Sequence, residues 1–252
     1  MLRVIKIGGS AITFKKEPLK ARKEVIKRVG EEIKPAYPNV ILTHGTGSYG
    51  HPLVLKQNLH VAIKGLEKLI GISNVKYWVS ELTQEILRSL INAGIPSFPF
   101  YPSSFIILEN DMIADYFIEP IKNFLRFGVV PVVPADGPFD RIKQMPRIAS
   151  GDYLAYFLAK KLGAEEVIFT MDVDGLIYQG ELLENVSKDE LSVIIDKIHF
   201  ERDATGGIKG KLEWVIKILE EGINVTFINL VEQNRLRKYL KGEKVICTRF
   251  TS

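Results

Sequence analysis

Short apolar runs alternate along this chain with longer stretches in which apolar positions recur at helical spacing. Leu2 to Ile7, Val40 to Thr43, Val129 to Val133, Val167 to Thr170 and Asn224 to Asn229 are the short runs, and each predicts a strand. Ser97 to Tyr101 and Ser104 to Leu108 read as further short strands around Pro99 and Pro102, and Lys244 to Thr248 as a final edge strand. The longer stretches predict helices at Pro18 to Ile33, at Val61 to Ala93 with a break near Gly71-Ile72-Ser73, and at Asp115 to Phe127. More helices are expected from Ser150 through Lys161, at Gly207 to Glu221 and at Glu232 to Leu240. Ser187-Lys188-Asp189-Glu190 fits a capping box, so a short helix should follow it. Strands separated by helices imply an α/β fold in which a mainly parallel sheet is covered on both faces.

The polar punctuation between these elements carries the chemistry. Val40-Ile41-Leu42 runs into His44-Gly45-Thr46-Gly47-Ser48-Tyr49-Gly50-His51, and Leu2-Arg3-Val4-Ile5 into Lys6-Ile7-Gly8-Gly9-Ser10. A third stretch, Thr205-Gly206-Gly207-Ile208-Lys209-Gly210-Lys211, sets lysines beside glycines. Glycine lets the backbone curl its N–H groups around an oxyanion and lets a ligand approach the main chain. None of the three has the Gly-Lys-Ser/Thr spacing of a P-loop. Ser150-Gly151-Asp152 opens a helix with its free N–H groups facing the same region, and Met171-Asp172-Val173-Asp174-Gly175-Leu176 leaves a strand through a carboxylate-rich turn. Ligands of such sheets bind beyond the carboxyl ends of the strands, where these loops lie. One site built to hold more than one phosphate is therefore expected.

Composition narrows the partners. With 252 residues, 46% hydrophobic, the chain can bury a full core as one large domain or two lobes in contact. Its 34 Lys+Arg against 30 Asp+Glu leave a net charge of only +4, with no basic block, which argues against nucleic acid as a partner. Cys247 is the single cysteine, so an internal disulfide is impossible and a reducing cytoplasm is the expected home. No run approaches the roughly 18 apolar residues of a membrane span, and the first residues read as a strand rather than an export leader.

The order of these motifs over almost the whole chain resembles the signature series of the amino acid kinase family. That resemblance implies an αβα sandwich with an open, mainly parallel central sheet, ATP with Mg²⁺, and commonly a homodimer. It implies one domain, with an acceptor-binding lobe at about 1–150 in contact with a nucleotide-binding lobe at about 151–252. Ile12-Thr13-Phe14-Lys15 and His51 point, within the family, to members that phosphorylate isopentenyl phosphate in an alternative mevalonate route to isoprenoids. Alternatives are a kinase for another small phosphate or phosphonate such as fosfomycin, and a ligand-binding member without catalysis.

By the same resemblance, Lys6 and Lys15 stand beside the transferred phosphate, with Lys16 as the alternative to Lys15, and Lys211 beside the β/γ end of ATP. Asp152 holds two of the lysines in place rather than acting as a base, because a phosphate acceptor already presents oxyanions. Gly8, Gly9, Ser10, Gly47, Thr170, Asp172, Asp174, Gly175, Gly206 and Gly207 are the further nucleotide-side residues. Thr46, Gly47, Gly50 and Gly151 offer backbone to the acceptor. His51 donates to the acceptor phosphate, while His44 brackets the loop's start as a structural residue, and no residue is assigned to a metal. The acceptor's apolar tail needs a greasy pocket, for which Val79, Leu82, Ile86, Met145 and Ile148 are candidates, although a stripe at this spacing is core in most helices.

Overall fold

The computed structural model describes residues 1–59, 65–197 and 207–251. The chain begins with β1 (Arg3–Ile7), a single helical turn α1 (Gly9–Ile12), α2 (Lys23–Ile33), β2 (Val40–His44), the short α3 (His51–Lys56) and the long α4 (Leu66–Asn92). There follow β3 (Ser97–Pro99), β4 (Ile106–Glu109), β5 (Met112–Tyr116), α5 (Glu119–Arg126), β6 (Val130–Pro134), β7 (Phe139–Asp140) and β8 (Met145–Pro146). The second half contains α6 (Gly151–Leu162), β9 (Glu166–Met171), β10 (Leu176–Tyr178), β11 (Glu181–Leu183), β12 (Asn185–Ser187) and α7 (Lys188–Lys197). It ends with α8 (Gly207–Glu220), β13 (Asn224–Asn229), α9 (Arg235–Leu240) and β14 (Thr248–Thr251).

Eight strands form the main sheet in the order β12-β14-β13-β9-β1-β2-β6-β3. Neighbours are parallel except β13 with β14. Successive side chains of a strand face opposite ways, so β1 feeds two cores. Val4 packs with Leu154, Leu158, Phe169 and Leu212 on the face covered by α6 and α8. Ile5 packs with Ile26, Leu42, Leu82, Ile86 and Leu236 on the face covered by α2, α4 and α9. The expected sandwich is therefore present, and no helix among the described residues is long and apolar enough to cross a membrane.

Several elements depart from the sequence pattern for local reasons. The second helix starts at Lys23 rather than Pro18, because Leu19 takes a φ of 56° and Phe14 N–H bonds Lys20 O, folding the segment into a turn. α4 runs unbroken through Gly71, which is buried where a Cβ would lie 2.2 Å from Gln57 Oε1; residues 61–64 of the expected helix fall outside the described residues. Asp115 and Tyr116 belong to a strand, not to the helix expected there. Asn110 and Asp111 both have positive φ, the turn that closes a β-hairpin between β4 and β5. The last helix begins at Arg235, after Asn234 in the left-handed region. The last strand is displaced to 248–251 and lies inside the sheet, with β12 as the edge. The capping box forms as expected, with Glu190 accepting Ser187 N–H at 2.8 Å and Ser187 Oγ accepting Glu190 N–H at 3.3 Å.

Candidate active site

The parallel strands bring their carboxyl ends, at Ile7, His44, Pro134, Met171 and Asn229, to one edge of the sheet. Lys6 stands one residue from the end of β1, and its side chain is buried. It faces α6, whose N-terminus is held by Ser150 Oγ accepting Tyr153 N–H at 3.1 Å. Gly151 lets that helix approach: a Cβ there would lie 3.2 Å from Lys6 Cε and 3.3 Å from Gly45 N. Asp152, in the first turn, accepts Lys6 Nζ on Oδ1 at 2.9 Å. Lys211, on the first turns of α8, reaches the same carboxylate at 2.9 Å and 2.8 Å.

Two ammonium groups on one carboxylate leave a positive charge uncompensated in a mostly buried place. Burial pushes the Asp152 carboxyl up, but Lys211 and Lys6 together outweigh it and hold the acid well below its usual range. Burial also pulls Lys211 down to about 8, against the attraction of Asp152 and helped by repulsion from Lys6. Asp152 is thus an ionised clasp at neutral pH, and the cluster has charge to offer an incoming phosphoryl group.

The loop after β2 faces the loop after β1 across this cluster. Gly47 takes a φ of +49°, and a Cβ on Gly9 would lie 2.6 Å from Gly47 N, so the two backbones touch where no side chain fits. Between them lies Thr13, whose hydroxyl donates to Gly9 O at 2.7 Å and accepts Ser48 N–H at 2.9 Å. His44 is fully buried; Nδ1 donates to Gly45 O at 3.1 Å and Nε2 pairs with Thr83 Oγ1 at 3.0 Å. Burial lowers its pKa to about 4, so it is neutral at pH 7, in keeping with a structural role. His51 begins α3 and is half-buried after Gly50, which is itself packed on Thr46.

The other expected site residues fall into distinct places. Ser10 Oγ donates to Asp172 Oδ1 at 2.6 Å, tying the first loop to the turn after β9. Thr170 is buried and accepts Gly8 N–H at 3.2 Å, and a Cβ on Gly8 would lie 2.2 Å from Thr170 O. Gly175 lies against β14, where a Cβ would meet Thr248 Oγ1 at 2.3 Å. Gly8, Thr170 and Gly175 are thus closely packed where they stand. Asp174 accepts Asn229 Nδ2 at 3.0 Å and pairs with Arg235; the Asn229 bond first, then Arg235, lowers its pKa. Both partners come from the last third of the chain, and no motif marks them. Lys15 and Lys16 are both exposed on the turn after Phe14. Gly207 opens α8, whereas Gly206, with Thr205, His60 and His199, lies outside the described residues. Leu82 and Ile86 are fully buried in the α2/α4 core, Val79 is buried, Met145 is half-buried and Ile148 is exposed, so the five candidates do not share one environment.

Buried lysines clasped by a carboxylate at glycine loops on the carboxyl edge of a parallel sheet make a positively charged place whose chemistry suits phosphoryl groups. The amino acid kinase family profile matches residues 1–229, and the chain belongs to the amino acid kinase family. It is similar to the isopentenyl phosphate kinase of Methanothermobacter thermautotrophicus, 31% identical over 98% of both chains. It is also similar to that of Methanocaldococcus jannaschii, 29% identical over 96% of both. Among solved structures it resembles an isopentenyl phosphate kinase with a TM-score of 0.84, at 27% identity and 100% coverage of both chains.

Proposed function

We propose that this protein transfers the γ-phosphoryl group of ATP to isopentenyl phosphate, forming isopentenyl diphosphate for isoprenoid synthesis. The observation that carries the reading is the pair of buried lysines held on Asp152 between two glycine loops. A new bond forms between an acceptor phosphate oxygen and the γ-phosphorus, and the bond from that phosphorus to the bridging oxygen of ADP breaks. The moving group is loosely bonded in the transition state, so the protein's work is placement and charge neutralisation. Lys6 and Lys211 neutralise the charge, Asp152 fixes both, and Gly9 and Gly47 present main chain on either side. No side chain needs to remove a proton, because the acceptor oxygen is already ionised. His51 donates to the acceptor phosphate and selects acceptors that carry one.

The nucleotide belongs mainly with residues from about 151 onward, its phosphate end reaching Gly8, Gly9, Ser10 and Gly47, and the acceptor with residues up to about 150. Mg²⁺ is proposed to arrive on the phosphate oxygens of ATP, which is its usual mode with nucleotides. The molecule is proposed to act in the cytoplasm as a homodimer, which sedimentation equilibrium tests by a mass twice the 28.5 kDa of one chain.

An acceptor panel with Mg-ATP tests the reading: isopentenyl phosphate, dimethylallyl phosphate, fosfomycin, acetylglutamate, carbamate and UMP. Isopentenyl phosphate is expected to give the highest kcat/KM. Turnover confined to acetylglutamate or carbamate overturns the acceptor while leaving the phosphoryl-transfer site standing.

A further inference from the structure

Thr13 is fully buried at the end of α1, and its single hydroxyl both donates and accepts. It gives its proton to Gly9 O at 2.7 Å and takes Ser48 N–H at 2.9 Å, so one side chain joins the main chain of the β1 loop to that of the β2 loop. The fit leaves no slack on either side. A Cβ on Gly47 would lie 2.2 Å from Thr13 Oγ1 and 2.9 Å from Gly9 O. Ser48 is fastened a second time to the same segment, its O accepting Leu19 N–H at 3.2 Å and its Oγ accepting Lys20 N–H at 3.3 Å. Phe14 N–H closes that segment on Lys20 O at 3.0 Å, so the turn carrying Lys15 and Lys16 hangs from this tie.

Glycine loops have no side chains to hold their own separation, and glycine backbone is the most mobile there is. Two such loops that must present donor and acceptor at reacting distance need an external spacer.

We propose that Thr13 is a positioning residue of the transfer reaction: its hydroxyl sets the separation of the two glycine loops, and with it the reach from the γ-phosphoryl group to the acceptor phosphate. The role rests on the phosphoryl-transfer reading above. Thr13→Val keeps the shape and removes both hydrogen bonds, whereas Thr13→Ser keeps both and removes a methyl group. Since about 1 Å of misplacement can cost about a hundredfold, Thr13→Val should lower kcat for isopentenyl phosphate by about ten- to a hundredfold, with KM for ATP changed by less than about threefold. Thr13→Ser should restore kcat to within about threefold of wild type.

Amide hydrogen exchange at Ser48, measured without any substrate, should be faster in Thr13→Val and near wild type in Thr13→Ser. A folded Thr13→Val with unchanged kcat, equal losses in the valine and serine variants, or unchanged exchange at Ser48 would each overturn the proposal. Should Thr13→Val not fold, Thr13→Ala removes the hydroxyl without setting a methyl group against Ser48 N–H, and the same readouts apply. If wild type leaves isopentenyl phosphate unphosphorylated, the function reading fails on that arm, while exchange at Ser48 still decides whether the tie exists.

Discussion

Burial brings the charge of Lys211 within reach of mildly alkaline solution. Burial draws its pKa to about 8, well under the ordinary lysine range, so the free enzyme loses this proton as pH rises through about 8. The charge proposed to meet the phosphoryl group is lost with it, and on that proposal kcat/KM should fall on the alkaline limb, since kcat/KM reports the free enzyme. Lys211→Arg stays charged and should flatten the limb even if its rate is lower; a wild-type profile level to pH 10 would show that Lys211 does not titrate there. The sign for Asp152 is opposite. Its folded pKa is depressed by the two lysines, so it contributes stability above the unfolded carboxyl pKa of about 4 that is lost as pH falls toward the folded value. His51 is tested by truncation: a lost hydrogen bond to a charged group costs about 1.5–3 kcal/mol, so His51→Ala should lose about ten- to a hundredfold in kcat/KM for the acceptor. KM for ATP should hold, and His51→Asn, which keeps a neutral donor, should fall between. Lys6, Asp152 and Lys211 are legible through the family resemblance, Lys6 two residues before a Gly-Gly pair, Asp152 at a helix start and Lys211 directly after a glycine. The tie from Thr13 to Ser48 and the pairing of Arg235 with Asp174 are not, because these partners lie 35 and 61 residues apart and no local pattern encodes such a pairing.

At the scale of elements, the buried parallel strands were read from sequence more faithfully than helix boundaries, whereas the short strands β5, β7, β8, β10, β11 and β12 carry no long apolar run. Buried parallel strands are near-continuous apolar runs, and Asn224–Asn229 forms over its expected span. Helix ends depend on single left-handed residues such as Leu19 and Asn234, which the apolar period does not see. The β4–β5 hairpin was hidden because Asp115 and Tyr116 continue a plausible helical spacing, although Asn110-Asp111 is a turn pair of the right chemistry. The stripe on α4 illustrates how an element can serve only one purpose per face. Leu82 and Ile86 are fully buried against Ile5, Leu42 and α2, so their truncation creates a cavity rather than a wider pocket. Ile86→Ala should cost about 2–5 kcal/mol of stability, read as a lowered denaturant midpoint, with no change in the chain length of prenyl phosphate accepted. Acceptance of longer chains by a stably folded Ile86→Ala would return this face of α4 to the acceptor pocket.

For the whole molecule, the central position of β1 decides how the two halves of the sequence can behave. β1 pairs with β2 from its own half and with β9 from the other, so the main sheet crosses the boundary near residue 150 without an edge. The cores cross it too: Val4 packs with Leu154 and Phe169 on one face, and Ile5 with Ile168 and Leu230 on the other. Separating an acceptor lobe from a nucleotide lobe would therefore expose a strand edge and split both apolar clusters at once. All-or-none unfolding is ordinary for domains under about 150 residues and cannot be assumed for 252. Here the topology nevertheless predicts one calorimetric transition, with calorimetric and van't Hoff enthalpies equal. ATP at a hundredfold excess over its Kd should add about 2.7 kcal/mol and move that transition as a whole, although the nucleotide is proposed to touch mainly the second half. Two resolved transitions, or an ATP-dependent shift confined to part of the signal, would show that the halves fold as separate units and that β1 is only a seam between them.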